Sequence, residues 1–135
     1  MYKFQTFKEW LNEQQSIKIN KESLPIEIIK KEDWPEGKSD PTEFSTNDNI
    51  VRVREDYDYK KDPQGWMRHE YMHWKLHNSD FEDDGKDYPL NNTEVEAYKY
   101  QFKFLKKRGF KNLEDVPGLK KDNYTNILKK YWSES

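Results

Sequence analysis

The chain contains no cysteine among its 135 residues. Disulfides and thiolate zinc sites are therefore excluded, and any metal ion must be bound by histidine and carboxylate groups. No stretch approaches the length of apolar sequence that a membrane span needs, so no membrane segment is predicted. The formal net charge of -2 gives no overall reason to expect nucleic acid as a partner.

Hydrophobic residues are also scarce, at 33% of the chain, whereas aromatic residues reach 16%. The core must therefore take much of its buried area from Trp, Tyr and Phe side chains. The length suits one domain. We expect an amphipathic N-terminal helix over residues 1–20, a core over 45–108 and a C-terminal helical segment over 109–135, where Asp122 is the predicted cap of the last helix.

The N-terminal stretch has acidic residues and lacks the apolar centre of a signal peptide. It has a capping box from Thr6 to Glu9 and an apolar face of Phe7, Trp10 and Leu11. This stretch resembles the short leader helices that direct some tailed-phage proteins into the capsid. The resemblance implies a virion component with assembly partners; the alternative expectation is a protein of the host-cell cytoplasm.

The most specific pattern in the chain is His-Glu-x-x-His, formed by His69, Glu70 and His73. On a helix, residues four apart lie about 6 Å apart, so both imidazoles can bind one Zn²⁺. Glu70 is rotated by about 100° from His69, beside the metal and not on it. It can therefore take a proton from a zinc-bound water whose pKa the metal lowers.

The residues around this pattern predict a helix. Asp62 is a good N-cap and Pro63 suits the first helical position, while residues 64–77 contain no further proline. The pattern can also arise by chance, and the alternative is a buried hydrogen-bonded cluster without metal. The chain has only three histidines, however, and two of them fall at the required spacing.

A catalytic zinc site usually has a third protein ligand, and a second predicted helix supplies candidates. Asn91, Asn92 or Thr93 can cap this helix. Its apolar stripe is Val95, Tyr98, Phe102 and Leu105. Glu94 lies about 70° from the centre of the stripe and Glu96 about 130° away, so Glu94 borders the buried face and Glu96 faces solvent. The alternative role for Glu94 is a capping box with Asn91.

With Glu94-Val95-Glu96-Ala97, the chain resembles the gluzincin-like metallopeptidases over residues 45–105. In that family a glutamate on a second helix, often in Glu-x-x-Ala, completes the zinc site. The resemblance implies a minimal zincin-like α+β domain, with a short mixed or antiparallel sheet packed on the two motif helices. It also implies Zn²⁺, with His69, His73 and Glu94 as ligands, and hydrolysis of a peptide or protein substrate with Glu70 as general base. His77 or Tyr98 is a candidate to help stabilise the oxyanion.

Two strands are predicted before the motif helix. One follows a turn and ends at Arg54. The resemblance to the metallopeptidase family implies that it is an edge strand, which pairs with an extended substrate. The other spans residues 24–30, and residues 32–42 are predicted to form a loop. The basic run Lys103, Lys106, Lys107 and Arg108 is interpreted as the solvated end of the second motif helix, stopped by Gly109.

A function from another class remains open at this point. A structural or interaction protein, such as a virion component, can retain a zincin scaffold without turnover, because fold and metal do not establish catalysis.

Overall fold

A computed structural model describes residues 15–119 and 122–135. The chain folds as an α+β protein, as predicted, with a four-stranded mixed sheet and three helices among the described residues. Most of the predicted N-terminal helix lies outside the described residues. Residues 16–19 at its end form a strand instead, in which Ile17 and Ile19 point to the same side and Ile19 is buried.

The sheet has the strand order β1-β2-β4-β3. β1 and β2 form an antiparallel hairpin whose turn residues, Asn20 and Lys21, both have positive φ, as a tight hairpin requires. β2 pairs with β4 in parallel, and β3 pairs with β4 in antiparallel orientation. The strands are β1 Ser16–Ile19, β2 Glu22–Ile29, β3 Thr42–Ser45 and β4 Ile50–Arg54.

The edge of the sheet differs from the prediction. β4 was predicted as the edge strand, but it lies between β2 and β3, and its Val51 and Val53 side chains are fully buried. β3 is the edge strand beside the motif helix. It begins at Thr42, where the predicted loop ends. The strand has only four residues, most of them polar. It is therefore too short to show the alternation of polar and apolar residues from which a strand is predicted.

Three helices complete the fold: α1 Trp66–His77, α2 Asn92–Lys107 and α3 Thr125–Glu134. α1 packs against α2 and against the β3 and β4 side of the sheet, while α2 also packs against α3. This arrangement places the first turn of α2 beside the middle of α1. No helix in the described parts of the chain is long and apolar enough to cross a membrane.

The start of α1 shows how a distant carboxylate can cap a helix. The helix begins at Trp66, four residues after the predicted cap, because Gly65 takes the cap position with a φ of 78°. Asp62 still accepts hydrogen bonds from the Met67 and Arg68 amides, at 2.9 and 3.1 Å. Asp62 is fully buried, so its carboxylate fixes the first turn that leads to the motif.

The core confirms the expected use of aromatic residues. Tyr71, Tyr98 and Phe102 are among the largest fully buried side chains, and they join the sheet to all three helices in one hydrophobic cluster. In α3, Leu128, Tyr131 and Trp132 are buried; the side chain of the predicted cap, Asp122, lies outside the described part of the molecule.

Candidate metal centre

His69, His73 and Glu94 meet at the contact between α1 and α2. Glu94 Oε1 lies 3.0 Å from His69 Nε2, and Glu94 Oε2 lies 3.0 Å from His73 Nε2. The three candidate ligand atoms all lie within 4.8 Å of one another. Among residues 15–119 and 122–135, this is the one group of three or more His, Asp or Glu residues arranged to hold a metal ion.

Gln101 determines which nitrogen of His69 carries the proton. Its Nε2 donates to the Gln64 carbonyl at 2.8 Å, so its Oε1 is the atom that faces His69 Nδ1, at 2.9 Å. Because a carbonyl oxygen only accepts, His69 Nδ1 must donate. The neutral ring then carries its lone pair on Nε2, which points towards Glu94. This is the tautomer that a metal ligand needs, and Gln101 is the kind of buried partner that orients such a ligand.

The lone pair of His69 and the carboxylate of Glu94 require a cation between them. Two acceptors 3.0 Å apart repel each other unless a proton or a metal ion lies between the atoms. Burial raises the pKa of Glu94, but its hydrogen bonds with His69 and His73 outweigh burial, and the pKa falls well below its ordinary value. Glu94 is therefore an ionised carboxylate under physiological conditions, and it supplies the negative charge of the centre.

The electrostatic field at His73 also favours a cation. Burial lowers the pKa of His73, but the hydrogen bond with Glu94 and the charges of Glu70 and Asp83 outweigh it, so the pKa is raised above its ordinary value. A proton and a metal ion are both stabilised by this negative potential, and they compete for the same lone pair of the His73 imidazole.

The donor set fits a divalent metal of the zinc type. Bonds of about 2.0–2.1 Å from a tetrahedral zinc ion place its ligand atoms about 3.3 Å apart. The observed separations, 3.0 Å from Glu94 Oε1 to His69 Nε2 and 3.0 Å from Glu94 Oε2 to His73 Nε2, are each close to that value. Two imidazole nitrogens and one carboxylate oxygen suit zinc and neighbouring transition metals better than the oxygen-preferring Ca²⁺ and Mg²⁺.

Glu70 lies beside the three ligands and does not join them. It is 6% exposed, and its Oε2 accepts a hydrogen bond of 2.9 Å from the Thr42 hydroxyl on β3. No described residue makes an ion pair with Glu70 or donates a hydrogen bond to its Oε1. Thr42 therefore orients the carboxylate and leaves one oxygen able to accept a proton.

The centre lies in an open cleft of about 590 Å³. Its walls come from the loop before β3, from β3 itself, from α1 and from the segment that leads into α2. Lys38 is the one cationic residue among the described residues that line it, against five acidic ones. The acidic lining residues are Asp40, Glu43, Glu70, Asp83 and Glu94.

The two other predicted site residues lie outside this lining. Tyr98 is buried, with its ring 4.4 Å from that of His69 and its hydroxyl bonded to the Tyr88 hydroxyl. His77 is exposed, and its ring contacts Phe44. Tyr88, the partner of the Tyr98 hydroxyl, does line the cleft. An oxyanion role for Tyr98 or His77 stays a prediction.

Between the two candidates for third ligand, the structure brings Glu94 to the histidines and leaves Glu96 exposed. Sequence reasoning did not find Gln101 or Thr42. Gln101 lies seven residues after Glu94, two turns along the same helix face, so a polar residue within the buried stripe was a usable signal. Thr42 has no such signal, since it is 28 residues from Glu70.

No protein-family model, curated protein or solved structure matches the chain in comparisons with known proteins. The function is therefore inferred from the geometry of the centre and its cleft.

Proposed function

We propose that this protein is a zinc-dependent peptidase in which Glu70 is the general base. The observation that carries the proposal is the meeting of His69, His73 and Glu94 with Glu70 beside them in an open cleft. Three protein ligands leave a fourth position for water or substrate, as in catalytic zinc sites. A structural zinc site usually closes all four positions with protein ligands.

His69, His73 and Glu94 would hold the zinc ion. When bound, zinc supplies a Lewis acid that lowers the pKa of water and polarises a carbonyl group. Glu70 Oε1 takes the proton from the attacking water, while the Thr42 hydroxyl keeps Oε2 in place. Glu70 then returns the proton to the nitrogen of the leaving amine. Gln101 holds His69 in the tautomer with a free Nε2 throughout.

The edge strand β3 supports a peptide as the substrate. β3 pairs with β4 on one side, and no strand of the described chain pairs with its other side. Its residues Thr42, Glu43 and Phe44 line the cleft. An extended peptide can add to such an edge through main-chain hydrogen bonds, which bring its carbonyl groups past the metal centre without requiring a particular sequence.

Glu70→Gln tests the proposal, with Glu96→Gln as a matched control on an exposed glutamate. The proteins are purified without a histidine tag, zinc is measured by elemental analysis, and hydrolysis is followed with quenched fluorescent peptide libraries. We expect about one zinc per chain in all three proteins. Glu70→Gln should reduce hydrolysis by about 10²-fold to 10⁴-fold, while Glu96→Gln leaves it unchanged.

The possible results separate the proposal from its alternatives. Less than about a tenth of an equivalent of zinc would contradict the metal centre. One equivalent of zinc without hydrolysis, in wild type and variants alike, would favour the structural or interaction protein, for which assembly with virion partners stays a prediction.

A further inference from the structure

A second cavity, of about 310 Å³, lies on the other side of α2 from the metal cleft and shares no lining residue with it. Lys18, Arg68, Lys103 and Lys107 line this basic cavity, together with the rings of Tyr100 and Phe104. No acidic residue is among the described lining residues, so the formal charge there is +4. This charge stands out in a chain whose formal net charge is -2.

The cations of the basic cavity come from three separate elements. Lys18 is on β1, Arg68 is in the first turn of α1, and Lys103 and Lys107 are one turn apart on α2. They are up to 89 positions apart in sequence, between Lys18 and Lys107. Folding thus brings like charges together, which costs electrostatic free energy unless an anion compensates them. Asp62 compensates Arg68, whereas the three lysines make no ion pair with any residue in the described parts of the chain.

The basic run of Lys103, Lys106, Lys107 and Arg108 was interpreted from the sequence as the solvated end of the helix. In the structure, its members have two different environments. Lys106 donates to the Trp132 and Ser135 carbonyls, and Arg108 donates to the Lys61 and Asp62 carbonyls. Lys106 and Arg108 therefore stabilise the fold through these hydrogen bonds.

Lys103 and Lys107 have a different environment. Both are exposed, and neither makes an ion pair or a side-chain hydrogen bond with any residue in 15–119 or 122–135. Their ammonium groups are therefore available to a ligand in the cavity.

Arg68 and Tyr100 are held in place at the wall of the basic cavity. The Arg68 guanidinium stacks on the Phe104 ring at 4.2 Å from its centroid, and its Nη1 lies 3.4 Å from Asp62. Most of its N–H donors remain available. The Tyr100 hydroxyl accepts a hydrogen bond of 2.6 Å from Asn20, so its own proton is free to be donated. Both donors are oriented before any ligand arrives, which reduces the entropic cost of binding.

We propose that the basic cavity binds a diphosphate or triphosphate group. Such a group carries several charges in a small volume, which suits three converging lysines and the remaining N–H donors of Arg68, and Lys and Arg are the usual residues that bind phosphate. The cavity is at the lower end of the size range of small-molecule sites. The centre of its α2 wall, Lys103, is nine residues beyond Glu94, or about 13 Å along the helix, so the site is separate from the metal centre.

Titration calorimetry with inorganic tripolyphosphate tests the proposal on the full chain at low ionic strength, where electrostatic binding is strongest. We expect one site per chain in the wild type. Lys103→Gln with Lys107→Gln should weaken binding by about tenfold or more. Lys30→Gln with Lys130→Gln changes the net charge equally at exposed positions outside the cavity, and it should leave the affinity within about twofold.

Lys18→Gln tests whether the ligand contacts cations from separate elements, because Lys18 reaches the cavity from the sheet. It should weaken binding by about threefold or more, whereas an unchanged affinity would show that the ligand lies on the α2 surface and would overturn the cavity site. Circular dichroism melting checks that each variant is folded. Since triphosphate also chelates metal, only differences among these variants count, and all of them keep the three metal ligands.

The affinity for a nucleoside triphosphate, compared with that for tripolyphosphate, distinguishes a free phosphate chain from a nucleotide as the ligand. Affinity equal to that of tripolyphosphate supports recognition of the phosphate chain alone, and higher affinity supports a nucleotide whose base adds contacts. The proposal is overturned if neither compound binds, if binding is insensitive to the lysine substitutions, or if only a duplex oligonucleotide binds, since that would indicate an extended phosphate backbone.

Discussion

The metal cleft and the basic cavity are built by the same two helices and carry opposite charge. α1 contributes His69, Glu70 and His73 to the cleft but Arg68 to the cavity. α2 contributes Glu94 from its first turn to the cleft, and lysines from its second half to the cavity. This division also suits the α2 dipole, which favours an acidic residue near the first turn and basic residues near the last.

The net charge of the chain does not indicate how charges are distributed over the folded molecule. A formal charge of -2 gave no overall reason to expect nucleic acid as a partner. The folded chain nevertheless separates a cleft with five acidic residues and one lysine from a cavity with four cations and no acid among the described lining residues. Each site should therefore respond to its own substitutions and not to those of the other.

Among the variants that test this contrast, the largest expected effect comes from Gln101, which contacts His69 and does not line the basic cavity. Gln101→Met removes the acceptor for His69 Nδ1 and frees the imidazole to take the wrong tautomer. We expect zinc affinity, measured by competition with a chromophoric chelator, to fall by about 10-fold to 100-fold. Tripolyphosphate binding at the basic cavity should stay unchanged.

A second variant distinguishes this orienting role from a loss of packing. Gln101→Glu keeps an oxygen that accepts from His69 Nδ1 but loses the donor to the Gln64 carbonyl. It should recover most of the zinc affinity while remaining less stable than wild type, by about 1–3 kcal/mol. Equal zinc affinity in wild type and Gln101→Met would show that the hydrogen bond does not orient the ligand.

The next effect is a pH dependence of the metal-free cleft. The raised pKa of His73 contributes stability below its unfolded value of 6.5, and this contribution is lost as the pH rises through the folded pKa. The lowered pKa of Glu94 contributes stability above its unfolded value of 4.5, and this contribution is lost as the pH falls through the folded pKa. Both contributions are present together between pH 4.5 and 6.5.

Chemical denaturation of chelator-treated protein measures this dependence. The wild type should exceed Glu94→Gln in free energy of unfolding by about 2 kcal/mol within that window, with a smaller difference on either side. Glu96→Gln should show no such maximum, since Glu96 is exposed. A difference that keeps increasing above pH 7 would contradict the assignment of the charged pair to His73 and Glu94.

The meeting of His69, His73 and Glu94 was largely predictable from sequence because its signals are local. Four residues separate His69 from His73 on one helix, and the α2 periodicity distinguished Glu94 from Glu96. The basic cavity was not predictable, since Lys18 and Arg68 join the α2 lysines only through the packing of separate elements. The Thr42 contact with Glu70 and the edge position of β3 depend in the same way on how distant segments pair.

The smallest expected effect concerns the charge of the proposed peptide substrate. Glu43 and Asp83 line the cleft outside the metal ligands, and their negative charges should favour lysine or arginine in a peptide over glutamate or aspartate. If the proposed peptidase function holds, Glu70→Gln protein should bind peptides without cleaving them, and fluorescence anisotropy can then compare cationic and acidic peptides of equal length. We expect the cationic peptides to bind more tightly by about threefold to tenfold at low salt, and less so at high salt.

Two pairs of substitutions test which acidic residues cause that preference. Glu43→Gln with Asp83→Asn, added to Glu70→Gln, should remove most of the discrimination, because long-range attraction falls with each charge removed. Glu32→Gln with Asp33→Asn changes the net charge equally at exposed positions outside the cleft, and it should retain the discrimination. If both pairs act alike, the selection arises from the total charge of the chain, and the contrast between cleft and cavity has no bearing on peptide choice.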